Sequence, residues 1–289
     1  MPWQLLALLT AAFDAGRILI LKKTVKSRSP LAITFYLNVV VFICSLPIIL
    51  NNPPVTISSS YIKYALLVGS LGSIAILFYN RALKASDISI TVPMMSFVPF
   101  FLIFTSPFFV NETPSVNGVL GILLIVVGAY ILQISKKSEG FFAPFKHLLS
   151  EKGPQYMLLV AFIYSITSNF EKLGVLETYP VFWVGTVALI RSVILGTCYI
   201  SERVKDQITL DRNLFIGSVA AGIFHFFTLT FQMSAFETGP VSYVIAIKRF
   251  SMVLTAIYAC WILKEGDFKE RISGTLIMFI GLVVVSLLA

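Results

Sequence analysis

Ten long apolar stretches are the feature that most constrains how this chain can fold. Each is about 20 residues long, enough helix to cross the roughly 30 Å hydrocarbon core of a bilayer. They lie at residues 3–21, 31–50, 62–83, 88–110, 116–134, 155–174, 180–200, 213–235, 240–262 and 269–288. Only 12% of the residues are charged, about half the share found in soluble domains. The sequence therefore predicts an all-α polytopic protein of the cytoplasmic membrane and excludes a soluble enzyme.

The chain also repeats itself, at an offset of 153 residues over most of each half and of 150 near its start. The matched residues are Lys22/Lys172, Pro30/Pro180, Ala82/Ala235, Ser89/Ser242, Glu112/Glu265, Gly121/Gly274 and Gly128/Gly281. Five spans in each half would insert the two copies in opposite orientations. We therefore expect ten transmembrane helices arranged as two inverted five-helix repeats, residues 1–134 and 155–289, joined by a cytoplasmic linker, 135–154. Such repeats are typical of carriers that rock about a site near the midplane.

The distribution of basic residues predicts which way the chain crosses the membrane. The odd-numbered loops hold most of the Lys and Arg residues that lie near helix ends, whereas the even-numbered loops hold only Lys63 and Lys172. Because basic loops stay on the cytoplasmic side, both termini are expected outside. This asymmetry also accounts for most of the net charge of +8 without a nucleic-acid partner. The expected partners are lipid and a small solute, with protons or a counter-substrate as candidates for coupling and the oligomeric state left open.

Motif residues in both halves of the sequence resemble those of a known family. Each half is similar to an EamA-type domain of the drug/metabolite transporter superfamily. The motif residues that carry the likeness are Ala82-Leu83-Lys84 through Pro99, Asn111-Glu112-Thr113, Gly121, Gly128, and in the second half Ala235 through Lys248-Arg249, Lys264-Glu265-Gly266, Gly274 and Gly281. The fourth helix of the family typically carries a proline about thirteen residues before a Gly-Glu or similar pair. Pro99 and Glu112 fit this pattern, but Met252 takes the place of the second proline. The resemblance implies the fold of a carrier and says little about its solute.

Three basic residues lie deep within predicted spans. At about 1.5 Å per residue, Lys248 and Arg249 lie roughly 12 Å into the ninth span and Arg191 about 16 Å into the seventh. Each such charge costs about 2.5–3.5 kcal/mol at mid-membrane on insertion scales. Among the acids, Asp14 is expected to pair with Arg17, three residues along the same helix. Glu171 is left to pair with Lys172 or Arg191, so that at least one buried positive charge has no carboxylate.

These charges define the candidate site. We expect Lys248, Arg249 and Arg191 to hold an anionic group of the solute, with Asp14, Asn169 and Tyr243 completing the substrate-binding residues. The alternative is an internal salt-bridge network with a purely structural role. The Lys248–Arg249 pair also resembles the phosphate-contacting pair of plastid sugar-phosphate translocators. Those relatives add a lysine from the first half that the fourth span here does not have, so a carboxylate is the competing anion.

The sequence thus predicts a secondary transporter that moves a small polar solute, anionic or zwitterionic, by alternating access. A membrane sensor or scaffold that transports nothing is the alternative. No HExxH, GxSxG or P-loop motif is present, so we expect no enzyme activity, no cofactor and no metal site. Glu112 and Glu265 are interpreted as groups that favour helix N-termini rather than as proton carriers. The glycine pairs 121/128 and 274/281 are interpreted as helix-packing faces.

Overall fold

The computed structural model describes residues 1–24, 30–54, 56–87, 91–133, 150–206, 212–261 and 268–287, and every regular element within them is a helix. The helices are α1 (Trp3–Thr24), α2 (Pro30–Asn51), α3 (Ser59–Ala85), α4 (Val98–Val110), α5 (Val116–Gln133), α6 (Lys152–Leu176), α7 (Pro180–Asp206), α8 (Arg212–Thr238), α9 in two parts (Val241–Lys248 and Ser251–Trp261) and α10 (Phe268–Leu287). A 3₁₀ helix, Val92–Phe97, leads into α4. Each of the ten predicted apolar stretches therefore overlaps a helix.

The described helices are long and apolar enough for a multi-pass membrane protein. Seven spans could each cross a bilayer, when the 3₁₀ helix is counted with α4 and the two parts of α9 are counted together. They are Trp3–Lys22, Leu31–Asn51, Ser59–Ala85, Val92–Val110, Pro180–Ser201, Phe215–Thr238 and Val241–Tyr258. In α5 and α10 the apolar stretches are shorter, Val116–Leu132 and Ile272–Leu287. α6 is long but carries several polar residues among its buried positions. The predicted all-α membrane class is confirmed.

Local chemistry fixes several helix ends. Pro30 and Pro180 are the first residues of α2 and α7, a position where the missing N–H of proline would be unpaired in any case. The hydroxyl of Ser58 caps α3 by accepting a 2.9 Å hydrogen bond from the N–H of Tyr61. Asn111 ends α4 with a φ of 56°, a left-handed conformation that asparagine tolerates better than most residues. α6 begins at Lys152, inside the predicted linker 135–154, most of which lies outside the described residues.

The helices pack in pairs that join one half of the chain to the other. α1 packs against α8, α3 against α6, α2 against α7, and α5 against α10. If each helix is replaced by its counterpart five positions away in the other half, the α1–α8 pair becomes the α6–α3 pair. The α2–α7 and α5–α10 pairs are each converted into themselves. The bundle is therefore held together mainly by contacts between the halves.

Glycines allow α5 and α10 to cross at backbone contact. A Cβ placed on Gly128 would lie 2.7 Å from the carbonyl oxygen of Gly274, and one on Gly281 would lie 2.8 Å from that of Gly121. Since Gly121 faces Gly281 while Gly128 faces Gly274, the two helices run antiparallel. The prediction that these glycine pairs form packing faces is confirmed.

Candidate functional site

A cavity of about 520 Å³ lies in the middle of the bundle, between the two halves. Its lining comes from α1, α2, α3, the 3₁₀ helix, α4, α6, α7, α8 and α9. It reaches Leu21 near the end of α1, Ile33 near the start of α2 and Leu83 near the end of α3. Its lining includes no residue from the first half of α1 or of α3. The cavity therefore runs from mid-bundle toward the end of the molecule that carries the basic loops.

An acid–base pair from α1 lies on the cavity wall. The guanidinium of Arg17 donates to the Asp14 carboxylate over 3.0 Å from Nε and 2.7 Å from a terminal nitrogen. The hydroxyl of Ser251, on α9, donates to the other carboxylate oxygen over 3.0 Å. The predicted Asp14–Arg17 pair is confirmed, and Asp14 is further tied to the second half.

A second polar chain crosses the cavity from α7 to α9. Arg191 lies 3.5 Å from Glu171, and the other oxygen of Glu171 accepts a 3.2 Å hydrogen bond from the amide of Gln232. The Gln232 carbonyl oxygen in turn accepts a 2.6 Å hydrogen bond from the ammonium of Lys248. Of the two partners predicted for Glu171, the structure gives it Arg191. Lys248 meets a neutral amide here rather than a carboxylate.

The charges on the cavity wall do not balance. In the part of the chain that the structure describes, Arg17, Arg191, Lys248 and Arg249 line the cavity together with only two carboxylates, Asp14 and Glu171. Among the described residues, Arg249 forms no ion pair, and its buried Nε has no hydrogen-bond partner. The Nε of Arg191 is likewise buried and unpartnered. The described lining residues thus carry two more positive charges than negative ones, and two of the guanidinium groups keep an Nε–H without a partner.

Backbone features place two of these cations. Arg191 lies against Gly72 of α3, where an added Cβ would come within 2.6 Å of its guanidinium. Arg249 lies at the break between the two parts of α9. There the amides of Arg249 and Phe250 bond to carbonyls three residues back, over 3.0 and 2.9 Å. Such tight turns within a helix often mark a functional hinge.

The structure brings four of the six predicted site residues to the cavity and not the other two. Asp14, Arg191, Lys248 and Arg249 all line it. Asn169 is fully buried and bonds instead to the hydroxyl of Thr105, at 3.1 Å, and to a carbonyl of its own helix. Tyr243 stacks on Trp3 with ring centroids 6.2 Å apart, and its hydroxyl accepts a 2.9 Å hydrogen bond from the amide of Ser115. Both lie outside the cavity lining.

Several cavity residues were not assigned to the site from the sequence. They are Tyr79, Tyr164, Thr167, Ser168, Glu171, His225 and Gln232. On α8 the spacing of His225, Leu229 and Gln232 places them on one helix face. Two polar residues on one face of an apolar helix were the sequence pattern that could have identified this part of the lining. Glu171 was considered only as a pairing partner.

Hydrogen bonds close the opposite end of the bundle. Lys172 forms an ion pair with Glu112 and donates a 2.9 Å hydrogen bond to the carbonyl of Gly239. The second oxygen of Glu112 accepts a 2.8 Å hydrogen bond from the amide of Val241, the first residue of α9. Glu112 thus stabilises the N-terminus of α9 rather than that of the helix following it in sequence. Glu265, its predicted counterpart, lies outside the described residues. We call Glu112, Lys172, Gly239 and Val241 the closing cluster.

Comparison with known proteins places the chain among transporters. The model of a family described as the EamA-like transporter family matches residues 1–134 and 151–287. An uncharacterized transporter of Archaeoglobus fulgidus is 26% identical over 272 residues, which cover 92% of this chain and 91% of that protein. An uncharacterized protein of Methanocaldococcus jannaschii is 33% identical over 132 residues, 45% of this chain and 96% of its own. A crystal structure shares the fold, with a TM-score of 0.78 and 16% identity over 99% of this chain and 98% of that one.

Proposed function

The chain belongs to the EamA-like transporter family, and from this premise we propose that it moves a small anionic or zwitterionic solute across the membrane by alternating access. A multi-pass membrane location follows from the family and from the apolar helices. The family also points to transport rather than to catalysis. The solute class, the mechanism and the cytoplasmic membrane as its location are our proposal.

The observation that carries the proposal is the unbalanced charge of the central cavity. Placing cations inside a bilayer is costly, and residues that remain there face a cavity or mark a substrate pathway as a rule. Arg249 and Lys248 have no carboxylate of their own in the described residues, since Asp14 bonds to Arg17 and Glu171 lies against Arg191. An anionic group entering the cavity would provide the missing negative charge. We assign Lys248, Arg249 and Arg191 to its binding.

Two inverted five-helix halves would supply the motion. Two observations support a twofold axis in the membrane plane. The helix pairs between the halves match one another when the two halves are interchanged, and α5 and α10 cross antiparallel at Gly121–Gly281 and Gly128–Gly274. Rocking about that axis would open one end of the cavity as the other closes. In this proposal residues 1–134 and 155–289 are the two moving units. The closing cluster seals one end while the cavity faces the basic loops.

The end that carries the basic loops is proposed to face the cytoplasm, with both termini outside. The N-terminal Trp3 lies against Tyr243 at the closed end, which fits that orientation. A reporter enzyme that functions only outside the cytoplasm, fused after Ala289, should be active. Activity of a strictly cytoplasmic reporter at the same place would reverse the orientation.

One observation favours a structural role for the internal charges. Two of the four cavity cations, Arg17 and Arg191, already face carboxylates, as a sensor or scaffold would require. The alternatives differ in flux, because a sensor would move no solute through sealed vesicles.

Flux through proteoliposomes tests the proposal. Vesicles containing the purified protein would be loaded with phosphate, malate, glutamate or propanesulfonate, and release would be followed over time. We expect at least one anion to leave faster than from protein-free vesicles, and Lys248→Ala and Arg249→Ala each to abolish that release. Arg81→Ala is the matched control, since Arg81 is exposed, lies over the Phe78 ring and does not line the cavity. Equal rates in wild type and both cavity variants would contradict the site.

A further inference from the structure

The two halves of the chain give the cavity two unlike walls. Among the described lining residues, the first half contributes seven apolar side chains, which we call the apolar wall: Leu21, Ile33, Leu37, Ile76, Leu83, Met95 and Val98. It also contributes five polar or charged residues, namely Asp14, Arg17, Thr34, Asn38 and Tyr79. Of the second half, the described lining residues include only Leu229 and Ile245 as aliphatic side chains, and the others carry charges, hydroxyls, an imidazole or an amide. We call Arg191, Lys248 and Arg249 the cationic wall. The cavity lining is therefore amphipathic, with most of its aliphatic side chains on the first half and three of its four cations on the second.

Its size favours an organic occupant over an inorganic ion. A volume of about 520 Å³ falls within the roughly 300–1,000 Å³ range of pockets that enclose organic ligands. An inorganic anion bound at Lys248 and Arg249 would leave most of that space, and all of the apolar wall, in contact with water. A solute with an extended body would fill both parts.

The chemistry of the walls selects between solutes. A solute that is polar throughout, such as a sugar phosphate, would lose water to the apolar wall without gaining hydrogen bonds there. A solute without charge would leave the two excess cations buried and unpaired. We infer that the solute is an amphipathic organic anion, with one anionic group on the cationic wall and an aliphatic or aromatic body against the apolar wall. The inference rests on the proposed transport function and specifies its solute.

A series of n-alkanesulfonates tests the solute class. Their charge is permanent, so they do not cross a bilayer as neutral acids, and only the apolar body changes from methanesulfonate to hexanesulfonate. Binding would be measured by calorimetry on the purified protein in detergent micelles. Because each buried methylene contributes a roughly constant free energy, we expect affinity to rise about threefold to fourfold per methylene. Phosphate and malate should bind more weakly than hexanesulfonate. Affinity that does not change with chain length, or that favours malate, would overturn the inference.

A matched pair of variants on α3 locates the body of the solute. Ile76 lines the cavity, whereas Ile74 is 42% exposed and faces away from it. Ile76→Thr should lower the affinity for hexanesulfonate by about fivefold and leave that for methanesulfonate within twofold. Ile74→Thr should change neither. Met95→Gln provides a second test if Ile76→Thr does not fold, and it should show the same selective loss. Equal losses for both ligands, or a loss in Ile74→Thr, would contradict an apolar wall that binds the solute.

Flux measurements with the same ligands distinguish a failure of the proposed solute class from a failure of the proposed transport function. Transport of malate or phosphate with no binding of hexanesulfonate would refute the amphipathic solute and leave the carrier intact. Chain-length-dependent binding in a protein that moves none of these anions would refute the transport function and leave the amphipathic cavity as a receptor site. Binding and flux that both increase from methanesulfonate to hexanesulfonate is the result we expect.

Discussion

The two halves of the chain occupy matching places around one cavity with different chemistry. Residues 153 positions apart include Met95 and Lys248, and Tyr79 and Gln232, and all four line the cavity. At the offset of 150, Tyr164 corresponds to Asp14, and again both line it. The repeated sequence therefore sets the frame, and substitutions within it set the polarity of each wall. The fold alone does not specify a solute, and the proposed solute class rests on the differences between the halves.

The two halves also show that the helix break does not depend on proline alone. The first half has a 3₁₀ helix, Val92–Phe97, with Pro93 inside it and Pro99 shortly after. At the offset of 153, the break of α9 at Arg249–Phe250 falls on the same part of the repeat, although Met252 stands where the first half has Pro99. Both halves keep the irregular turn, so proline is not its only cause. We expect these two places to be the hinges.

The largest effect is expected from making the second half resemble the first. Lys248→Met places the side chain of the corresponding Met95 on the cationic wall. Since a charge-assisted hydrogen bond contributes about 1.5–3 kcal/mol, the affinity for hexanesulfonate should fall about 12-fold to 160-fold, as measured by calorimetry. Met95→Leu, which keeps the apolar wall apolar, is the control and should change affinity less than threefold. Unchanged binding in Lys248→Met would remove this lysine from the site.

The crossing of α5 and α10 should lose the same stability whether the substitution is made on one helix or on the other. Gly128→Ala and Gly274→Ala each press a methyl group against the facing backbone, with 2.7 and 2.9 Å available. Overpacking of this kind destabilises by about 1–3 kcal/mol, and the two losses should agree within about 0.5 kcal/mol. Reversible unfolding in mixed micelles would measure them. Gly196→Ala, whose Cβ would meet only the Phe35 ring at 3.0 Å, should be milder. A large loss from one partner alone would indicate that the two helices do not share this contact.

Sequence reasoning succeeded where partners are close along the chain and failed where they are distant. Asp14 and Arg17 lie three residues apart on one helix, so their pairing follows from helix geometry. The partner of Lys172 is Glu112, from the other half, and only the packing of α4 against α6 brings them together. Asn169 and Tyr243 are polar residues in apolar helices, but the rotation of each helix aims them at Thr105 and Ser115. That rotation is set by tertiary packing.

Substitution of Gly72, which has no side chain to contact the solute, is expected to lower the affinity for hexanesulfonate about tenfold. Gly72→Ala would place a methyl group 2.6 Å from the guanidinium of Arg191, and the flexible arginine can move away without unfolding the protein. Displacement of one of three cations should weaken hexanesulfonate binding about tenfold, as measured by calorimetry. Gly196→Ala on α7, remote from the guanidinium, serves as the control. A loss of the same size in Gly196→Ala would mean that the effect is general destabilisation.

The smallest effect concerns the closing cluster at the opposite end from the cavity mouth. Glu112→Gln keeps an oxygen for the Val241 amide and removes the charge that attracts Lys172, so this end should open more often. A cysteine at the buried Ser242, with Cys44, Cys198 and Cys260 replaced by alanine, would report opening through maleimide labelling. We expect labelling about threefold faster. Glu177→Gln alters an exposed carboxylate that bonds to Ser58 and should leave the rate unchanged. If both variants label alike, the cluster does not control this end.

The most direct test of the two-walled cavity is a crystal structure with 3-bromopropanesulfonate, whose bromine is located by anomalous scattering. The sulfonate should lie within hydrogen-bonding distance of Lys248 or Arg249, and the bromine should lie against Ile76 or Met95. An anomalous peak beside Lys248 and Arg249, or no peak in the cavity, would contradict a site in which these two residues bind the charge and the apolar wall binds the body.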